Sequence, residues 1–195
     1  YNYKDYACES AFKKNPDHVL DFHELRRKEA KSCEPHVGHQ VVSSVEKNHS
    51  DVTIVTQNID GMHQRAGSNN VIELHGSLWR VRCGCSGTRE DMGETYEYRK
   101  CPKCSNWLRP DIIWFEDMLD HEVYTKATDI ISNSDLFISI GTSALVYPAA
   151  GLPMTAKMNG ARCIEINIDQ TEISTLYHDN MIGKAGDILP KLFPI

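Results

Sequence analysis

The sequence predicts an α/β protein, a doubly wound parallel sheet with a small cysteine-rich module inserted into it. Apolar runs of strand length alternate with helical patterns along the chain, and this alternation is typical of parallel strands joined by right-handed crossovers. Three of these runs end in small or polar residues, and four of the seven cysteines form two close pairs. A chain of 195 residues can bury one sizeable core together with a small satellite.

Composition argues against two classes of partner. The formal net charge of −6 argues against broad binding to nucleic-acid phosphates. No apolar run approaches the roughly 20 residues of a membrane helix, and the opening residues do not resemble a secretory signal. An odd number of cysteines with two close pairs favours metal binding in a reducing compartment over disulfides. We therefore expect a cytoplasmic or organellar-matrix protein with no membrane partner and no direct nucleic-acid partner. The oligomeric state stays open.

Asn15-Pro16-Asp17 begins the first helix, which we expect to run to about Lys31. The stretch combines a side-chain cap, proline at the first helical position and an acid near the positive end of the helix dipole. His23 and Arg26 lie three residues apart on the border of the apolar stripe. On surface frequencies alone, Arg26 snorkelling at a solvated edge is the favoured interpretation. A second helix follows Pro35.

The central stretch consists of two apolar strands separated by a short helix that stops near Gly67. The first strand ends in polar side chains, and the second delivers a histidine and a glycine. In open α/β sheets this carboxyl edge is where ligands bind. The candidate residues are Gln57, Asn58, Asp60 and His75. Taken alone, His75 would be interpreted as a satisfied core histidine. The neighbouring strand-end residues favour a functional role instead.

The cysteine pairs Cys83/Cys85 and Cys101/Cys104 predict a structural zinc site. Four thiolates in two pairs form the usual tetrahedral zinc set, and a module of this size is not expected to fold without metal. The C-x-x-C pair is the stronger signal, because C-x-C is tighter than usual. Free structural cysteines are the weaker alternative. The isolated Cys8, Cys33 and Cys163 are interpreted as buried or incidental thiols.

The second half of the chain repeats the strand–helix pattern. We expect an apolar strand or rim over residues 112–115, a helix over 121–132, a fully buried strand over 136–140, a helix over 149–158 and a strand over 163–168. A last turn over residues 183–186 precedes a short C-terminal helix.

The three polar strand ends predict a dinucleotide-sized ligand. Glycine admits a phosphate to the backbone, Thr and Ser offer hydroxyl groups, and Asn or Asp suits ribose hydroxyls. The strand ends read QNID, GTS and NID. The usual glycine-rich phosphate turn, G-x-G-x-x-G, does not occur.

Taken together, these motifs resemble the sirtuin family of NAD-dependent protein deacylases. The stretches that carry the resemblance are TQNIDGMHQRAG, ELHGS, the cysteine pairs, RPDIIWF, IGTSALVYPAAG and INID, in the family's order. The resemblance implies a Rossmann-like NAD-binding domain over residues 1–78 and 110–195, including a helical part over 15–50. It also implies a zinc-binding module over residues 79–109.

The resemblance also implies an activity and roles for individual residues. The acyl oxygen of an acyl-lysine protein or peptide attacks the ribose, nicotinamide leaves, and the acyl group ends on ADP-ribose. His75 is the implied general base, and its ordinary pKa near neutrality suits that role. Ile113 and Trp114 would lie beside the peptide. The residues implied to bind NAD are Gln57, Asn58, Asp60, Gly141, Thr142, Ser143, Asn167, Ile168, Asp169 and Ala185.

Three departures from the family pattern matter. The family begins with a strand and a GAGIS-type phosphate loop, and neither is in this sequence, so we expect either part of a longer protein or a degenerate member. The WFGE motif reads here as Trp114-Phe115-Glu116-Asp117 and loses a glycine. The first cysteine pair is compressed.

Two rival functions stay open, namely a module that binds NAD or ADP-ribose without turnover and a zinc-knuckle interaction protein.

The first helix gains a second interpretation from the resemblance. Family members that prefer succinyl or malonyl groups resemble FYxxRR here, whereas this chain has Phe22-His23-Glu24-Leu25-Arg26-Arg27. Arginine matches a carboxylate as a planar fork, so His23 and Arg26 predict a pocket for acidic acyl groups. Protonation of His23 below about pH 7.5 would strengthen that preference.

Overall fold

The computed structural model describes residues 3–194 and has the alternating architecture that the sequence predicts. The helices are α1 (Tyr3–Tyr6), α2 (Glu9–Lys14), α3 (Pro16–Ser32), α4 (Val37–Asn48), α5 (Met62–Arg65), α6 (His121–Ser132), α7 (Leu152–Met158) and α8 (Ala185–Leu192). The strands are β1 (Ile54–Thr56), β2 (Val71–Glu73), β3 (Gly76–Cys83), β4 (Gly87–Glu90), β5 (Arg109–Ile112), β6 (Leu136–Ile140), β7 (Arg162–Asn167) and β8 (Asp179–Ile182).

The strands form three hydrogen-bonded groups. β1 pairs with β2, and β3 lies between β4 and β5 with both pairings antiparallel. β6, β7 and β8 form a parallel sheet in that order, in which Ile140 lies opposite Ile166 and Asn167 opposite Ile182. The carboxyl ends of these three strands therefore lie at one edge of the sheet.

Capping side chains set the first residues of the helices that the sequence predicts. The Asn15 side chain accepts a hydrogen bond from the His18 amide at 3.2 Å and begins α3. α6 runs from His121 to Ser132 as predicted, because the Asp120 carboxylate accepts from the amides of Glu122 and Val123.

Two predicted strands need correction. The strand expected over residues 112–115 ends at Ile112, and it begins earlier, at Arg109. The expectation that residues 136–140 are fully buried is wrong, since Leu136 is 46% and Ile140 39% exposed. β6 is the first strand of its three-stranded sheet and has a hydrogen-bonded neighbour on only one side of that sheet. Two strands were not predicted, β4 and β8.

The described chain divides into two compact units. Unit 1 contains residues 3–34, 56–62 and 73–119, and unit 2 contains residues 35–55, 63–72 and 120–194. The predicted module over residues 79–109 lies within unit 1, and its boundaries at 78 and 110 stay a prediction. Among the residues that the structure describes, no helix combines the length and the apolar character needed to cross a membrane.

The core of unit 1 joins α3 to the antiparallel sheet. Apolar side chains of α2, α3, β3 and β5 pack with residues of the cysteine module, and the fully buried members include Val19, Leu20 and Val81. In unit 2, α4 and α8 pack together, and Val41 and Leu189 form a buried cluster with Ile166 of β7. The amphipathic faces of these helices supply the apolar area whose burial stabilises each unit.

A buried guanidinium ties α3 to the loop that precedes the second cysteine pair. Arg27 is fully buried and donates to the Asp91 carboxylate at 2.7 Å and to the Leu78 carbonyl at 2.8 Å. Its guanidinium also lies 3.9 Å from the Tyr96 ring centroid. Burial of a charge is costly unless it is paired and hydrogen-bonded, so the fold of this loop is coupled to that of α3.

We predict that Asp91→Ala destabilises the protein by about 3–5 kcal/mol, because it leaves the Arg27 charge buried without a counter-ion. The double variant Arg27→Met/Asp91→Leu should recover most of that loss, since apolar side chains replace both charges. Urea denaturation measures both effects. The control is Arg26→Met at the neighbouring exposed arginine, where we expect a change within about 0.5 kcal/mol. Equal losses in Asp91→Ala and Arg26→Met would contradict the assignment.

Candidate active site

The carboxyl end of β1 turns sharply and presents three polar side chains. The Thr56 hydroxyl accepts a hydrogen bond from the Asn58 amide at 3.1 Å, and the Asp60 carboxylate accepts from the Met62 amide at 3.0 Å at the start of α5. Asn58 is exposed, whereas Gln57 and Asp60 are half-buried. These short-range bonds explain why a β-branched strand ends abruptly in a polar turn.

His75 follows β2 and is held at both its ring and its backbone. Its Nδ1 lies 2.9 Å from the Gln57 carbonyl oxygen, and its own carbonyl accepts from the Ile113 amide at 2.9 Å. A carbonyl oxygen can only accept, so Nδ1 carries the proton and Nε2 keeps the basic lone pair. The structure thus brings His75 together with Gln57, as the sequence predicts for two neighbouring strand ends.

The residue after His75 must be glycine. Gly76 has φ +75°, and a Cβ placed there would lie 2.0 Å from the Asp111 carbonyl oxygen. Arg80 stabilises the same close approach of the two backbone segments, since it donates to Glu73 at 2.6 Å and to Asp111 at 2.9 Å. These contacts fix the backbone on both sides of the histidine.

Ile113 and Trp114 leave the end of β5 as a hydrogen-bonded turn. The Asp117 carboxylate accepts from the Trp114 amide at 2.9 Å and also pairs with Arg109. The Arg109 guanidinium lies 3.9 Å from the Trp114 ring centroid. Trp114 is only 3% exposed. Sequence reasoning missed Arg109 and Asp117 as supports of this turn, although their spacing around the apolar run was visible.

Glu116, which stands where the family pattern has glycine, ties the turn to α2. Its carboxylate accepts from the Ser10 amide at 3.0 Å and from the Ser10 hydroxyl at 2.8 Å. The Phe115 amide donates to the Ala7 carbonyl at 3.1 Å. Where the family pattern has a flexible glycine, this chain therefore has a carboxylate that is hydrogen-bonded to α2.

The structure places His23 and Arg26 in different surroundings. His23 is 3% exposed, and its Nδ1 lies 2.8 Å from the Val19 carbonyl. Burial lowers the pKa of His23 to about 4, so the expectation that it gains charge near pH 7 is wrong. Arg26 is exposed and pairs with Glu29 at 2.7 Å. His23 packs near Trp114, with ring centroids 5.8 Å apart.

In unit 2, the turn after β6 is held by a side chain from the end of β7. The Asn167 amide group donates to the Thr142 carbonyl at 2.8 Å, and the Gly141 amide donates to the Ile166 carbonyl. Gly141 has φ +64°, which suits glycine. Gly141, Thr142 and Asn167 are therefore brought together, and Ser143 follows in the same turn.

The remaining predicted residues lie at the same edge of the parallel sheet. Ile168 and Asp169 are exposed directly after β7, and the Ile168 amide donates to the Asn167 side chain at 2.9 Å. Ala185 is half-buried and begins α8. The Gly183 amide donates to the Asn167 carbonyl at 2.8 Å, which draws the turn before α8 to the strand end.

The four paired cysteines converge on one point. The Sγ atoms of Cys83 and Cys85 lie 3.6 Å apart, and those of Cys83 and Cys104 and of Cys85 and Cys101 lie 3.5 Å apart. All four sulfur atoms lie within 4.8 Å of one another. A tetrahedral site with Zn–S bonds of about 2.3 Å separates its sulfur atoms by about 3.8 Å. The cluster therefore fits zinc.

The protonation of these thiols also fits a metal site. Hydrogen bonds from the backbone of Cys104 and Lys103 lower the pKa of Cys101 to about 6. The pKa of Cys85 is raised to about 12, chiefly by its hydrogen bond with Cys104. A bound cation would replace the thiol protons of the cluster and bind the thiolates.

The comparison with known protein families decides the identity. The profile described as "Sir2 family" matches residues 2–148, which is more than half of the chain. The chain belongs to the Sir2 family. The resemblance stated from the motifs is therefore confirmed, and so is the Rossmann-like fold class.

Curated and solved Sir2-family proteins match most of the chain. An NAD-dependent protein deacylase of Pyrococcus furiosus is 37% identical over 200 residues, covering 98% of this chain and 80% of the relative. A crystal structure of a Sir2 homologue with NAD has a TM-score of 0.93 at 36% identity, covering 99% of this chain and 77% of that one. A Sir2 protein bound to a myristoylated histone peptide has a TM-score of 0.82 at 33% identity, covering 97% and 83%.

We predict one tightly bound zinc per chain, held by Cys83, Cys85, Cys101 and Cys104. With four thiolate ligands, no position is left for water, so the ion is structural. Elemental analysis of the purified protein measures the stoichiometry. Cys101→Ser should lower the zinc content and broaden thermal melting, because metal binding and folding of the module are coupled.

The matched control is Cys33→Ser, at an exposed cysteine outside the cluster. It should leave both the zinc content and the melting transition unchanged. Well under one zinc per parent chain would contradict the assignment.

Proposed function

We propose that this Sir2-family chain is an NAD-dependent protein-lysine deacylase that transfers the acyl group to ADP-ribose with release of nicotinamide. The observation that carries the proposal is the fixed tautomer of His75. Its Nδ1 is committed to the Gln57 carbonyl, so Nε2 is the group that accepts a proton. Sir2 relatives 37% identical to the chain are named NAD-dependent protein deacylases.

His75 is the proposed general base for a ribose hydroxyl. The ring is half-buried, which leaves Nε2 the opportunity to meet a ligand. The Ile113 amide and the close approach at Gly76 keep the histidine backbone from shifting. General bases work best when they are held at hydrogen-bond distance with a pKa near the working pH.

NAD supplies the ribose that takes the acyl group, and the polar strand ends are its proposed contacts. In unit 1, Gln57, Asn58 and Asp60 are proposed to contact the nicotinamide ribose. In unit 2, residues at the ends of β6 and β7 and at the start of α8 are proposed to contact the phosphates and the adenosine. These residues are Gly141, Thr142, Ser143, Asn167, Ile168, Asp169 and Ala185. The donors and exposed glycine at the ends of β6 and β7 have the chemistry that phosphate and ribose hydroxyls require.

Acyl-lysine proteins or peptides are the proposed substrates, lying beside Ile113 and Trp114. The structure of a Sir2 protein with a myristoylated histone peptide supports this class of substrate. The zinc-binding thiolates must stay reduced, so the cytoplasm or an organellar matrix is the proposed location.

The rival function is NAD or ADP-ribose binding without turnover. The paired placement of His75 and Gln57 favours the enzyme, because a pure binding module has no use for an oriented base. Release of nicotinamide in the presence of an acyl-lysine peptide separates the two functions. Binding of NAD with no such release would support the rival.

We predict that His75→Ala lowers deacylation by about 10²–10⁴-fold, the usual contribution of a general base, while NAD affinity changes little. Deacylation is followed by mass spectrometry of an acetyl-lysine peptide, and affinity by isothermal titration calorimetry. The control is His121→Ala, at an exposed histidine at the start of α6. It should leave both values unchanged. Undiminished turnover in His75→Ala would rule out the role of the histidine.

The finer proposal is a preference for acidic acyl groups such as succinyl and malonyl, and it rests on Arg26 with His23 as a neutral neighbour. A guanidinium–carboxylate pair that is desolvated by the bound substrate supplies about 1.5–3 kcal/mol, or roughly a tenfold to hundredfold preference. Two observations weigh against it: the Arg26 side chain is exposed, and it pairs with Glu29. The question therefore requires a direct test.

We predict that Arg26→Met lowers kcat/KM for a succinyl-lysine peptide roughly tenfold or more and spares the acetyl-lysine peptide. Glu29→Gln, which releases Arg26 from its partner, should raise succinyl activity. Because the pKa of His23 is about 4, the histidine stays neutral at pH 6 and pH 7.5, so the succinyl-to-acetyl ratio should be flat between them. Equal losses on both peptides, or an acetyl preference in the parent chain, would refute the preference.

A further inference from the structure

Trp79 of β3 contacts the proposed cofactor turn from inside unit 1. Its indole N–H donates to the Asp60 carbonyl at 2.7 Å. The side chain is 7% exposed, so little water can replace that donor. An indole nitrogen has one hydrogen to donate and accepts none, and the hydrogen bond therefore has only one possible direction.

The same turn packs against the indole edge one residue later. Gly61 has φ +74°, and a Cβ built there would lie 2.8 Å from Trp79 Nε1. On the other side, the Leu78 amide donates to the Ile59 carbonyl at 2.9 Å. Three consecutive turn residues, 59–61, are thus seated on two consecutive residues of β3.

Trp79 is itself rigidly held, which makes it suitable as a support. Its carbonyl accepts from the Asp91 amide at 2.9 Å, and Arg27 donates to the preceding carbonyl of Leu78. The guanidinium of Arg27 lies 5.9 Å from the indole centroid. The donor position is therefore set before any ligand arrives, which is the arrangement that preorganised sites require.

The orientation of the Asp60 side chain follows from its carbonyl. With the carbonyl bonded to Trp79, the carboxylate bonds the Met62 amide, and Asn58 is bonded to Thr56 on the other side of the turn. If the carbonyl lost its donor, the turn could rotate to seek water, since an unsatisfied carbonyl costs more than the hydrogen bond contributes. Both predicted cofactor side chains would move with it.

We propose that Trp79 is a positioning residue for NAD, whose indole N–H fixes the turn that carries Asn58 and Asp60. The inference rests on the proposed function, in which this turn faces the nicotinamide ribose. Trp79 need not touch the cofactor. It acts through Asp60 and Gly61, and it is therefore distinct from the residues of the proposed site.

The test is Trp79→Phe, which keeps an aromatic ring and removes the donor. We expect the KM and the dissociation constant for NAD to rise roughly threefold to tenfold, the effect of one lost hydrogen bond. The turnover number should stay within about twofold, because His75 is held by other contacts, and melting should shift by only a few degrees. Calorimetry with NAD and initial-rate kinetics with an acetyl-lysine peptide measure these values.

The matched control is Trp107→Phe, the same change at a half-buried tryptophan whose ring contacts Lys100. It should leave the KM for NAD unchanged. Gly61→Ala tests the same contact from the other side, since its Cβ would displace the indole, and it should raise the KM as well. An effect on KM in Trp79→Phe and Gly61→Ala, absent from Trp107→Phe, supports the inference.

Each other outcome overturns the inference. If Trp79→Phe binds NAD as the parent does, Trp79 has no positioning role, and the proposed function stands. If Trp79→Phe and Gly61→Ala both unfold, or lose kcat and KM to the same extent as Trp107→Phe, the tryptophan is only structural. If the parent chain neither binds nor consumes NAD, the proposed function fails and the inference fails with it.

Discussion

Unit 1 depends on one buried charge, the guanidinium of Arg27. Without a partner, a charge at 0% exposure would cost several kcal/mol, so α3 can occupy its place only when Asp91 and the Leu78 carbonyl are in theirs. Leu78 precedes Trp79, and Asp91 lies in the loop that leads to the second cysteine pair. α3, β3 and the zinc module must therefore fold together. The exposed end of α3 adds a second attachment, where Arg99 pairs with Asp17, Asp21 and Glu24.

Each unit contains a strand end that is stabilised by a hydrogen bond from a neighbouring side chain. In unit 1 the Gln57 carbonyl sets the tautomer of His75, and in unit 2 the Asn167 amide holds the Thr142 carbonyl. In each case a backbone carbonyl accepts from a side chain. Loops at strand ends usually carry function because a rigid scaffold positions them. Here the hydrogen bonds that hold the rigid part of each unit continue into the turns at the strand ends.

Sequence patterns predicted the parts of the fold that are specified locally. The cap at Asn15 decides a helix start within four residues, and the two pairs of cysteines indicate the metal site by their spacing. β4 and β8 escaped prediction because GTRE and DNMI carry no apolar alternation, and their pairing is decided by neighbours far along the chain. The sequence analysis placed Arg26 on the border of the apolar stripe of α3, whereas the buried face of the helix carries Leu20, His23 and Arg27. Adjacent helix positions lie about 100° apart, so a stripe chosen one position off exchanged the exposed arginine for the buried one.

The attachment of Glu116 to Ser10 has a consequence for the timescale on which the turn after β5 moves. A surface loop normally opens in nanoseconds to microseconds without disturbing the rest of a protein. The Phe115 amide, however, is bonded to Ala7, and the Glu116 carboxylate receives the Ser10 amide in the first turn of α2. The Ser10 amide is one of the first-turn N–H groups that have no acceptor within their own helix, so opening the turn takes the Glu116 carboxylate away from the start of α2. Opening of the turn and fraying of that helix end are therefore coupled, and deuterium uptake at Phe115 should follow the first turn of α2 and not the loops.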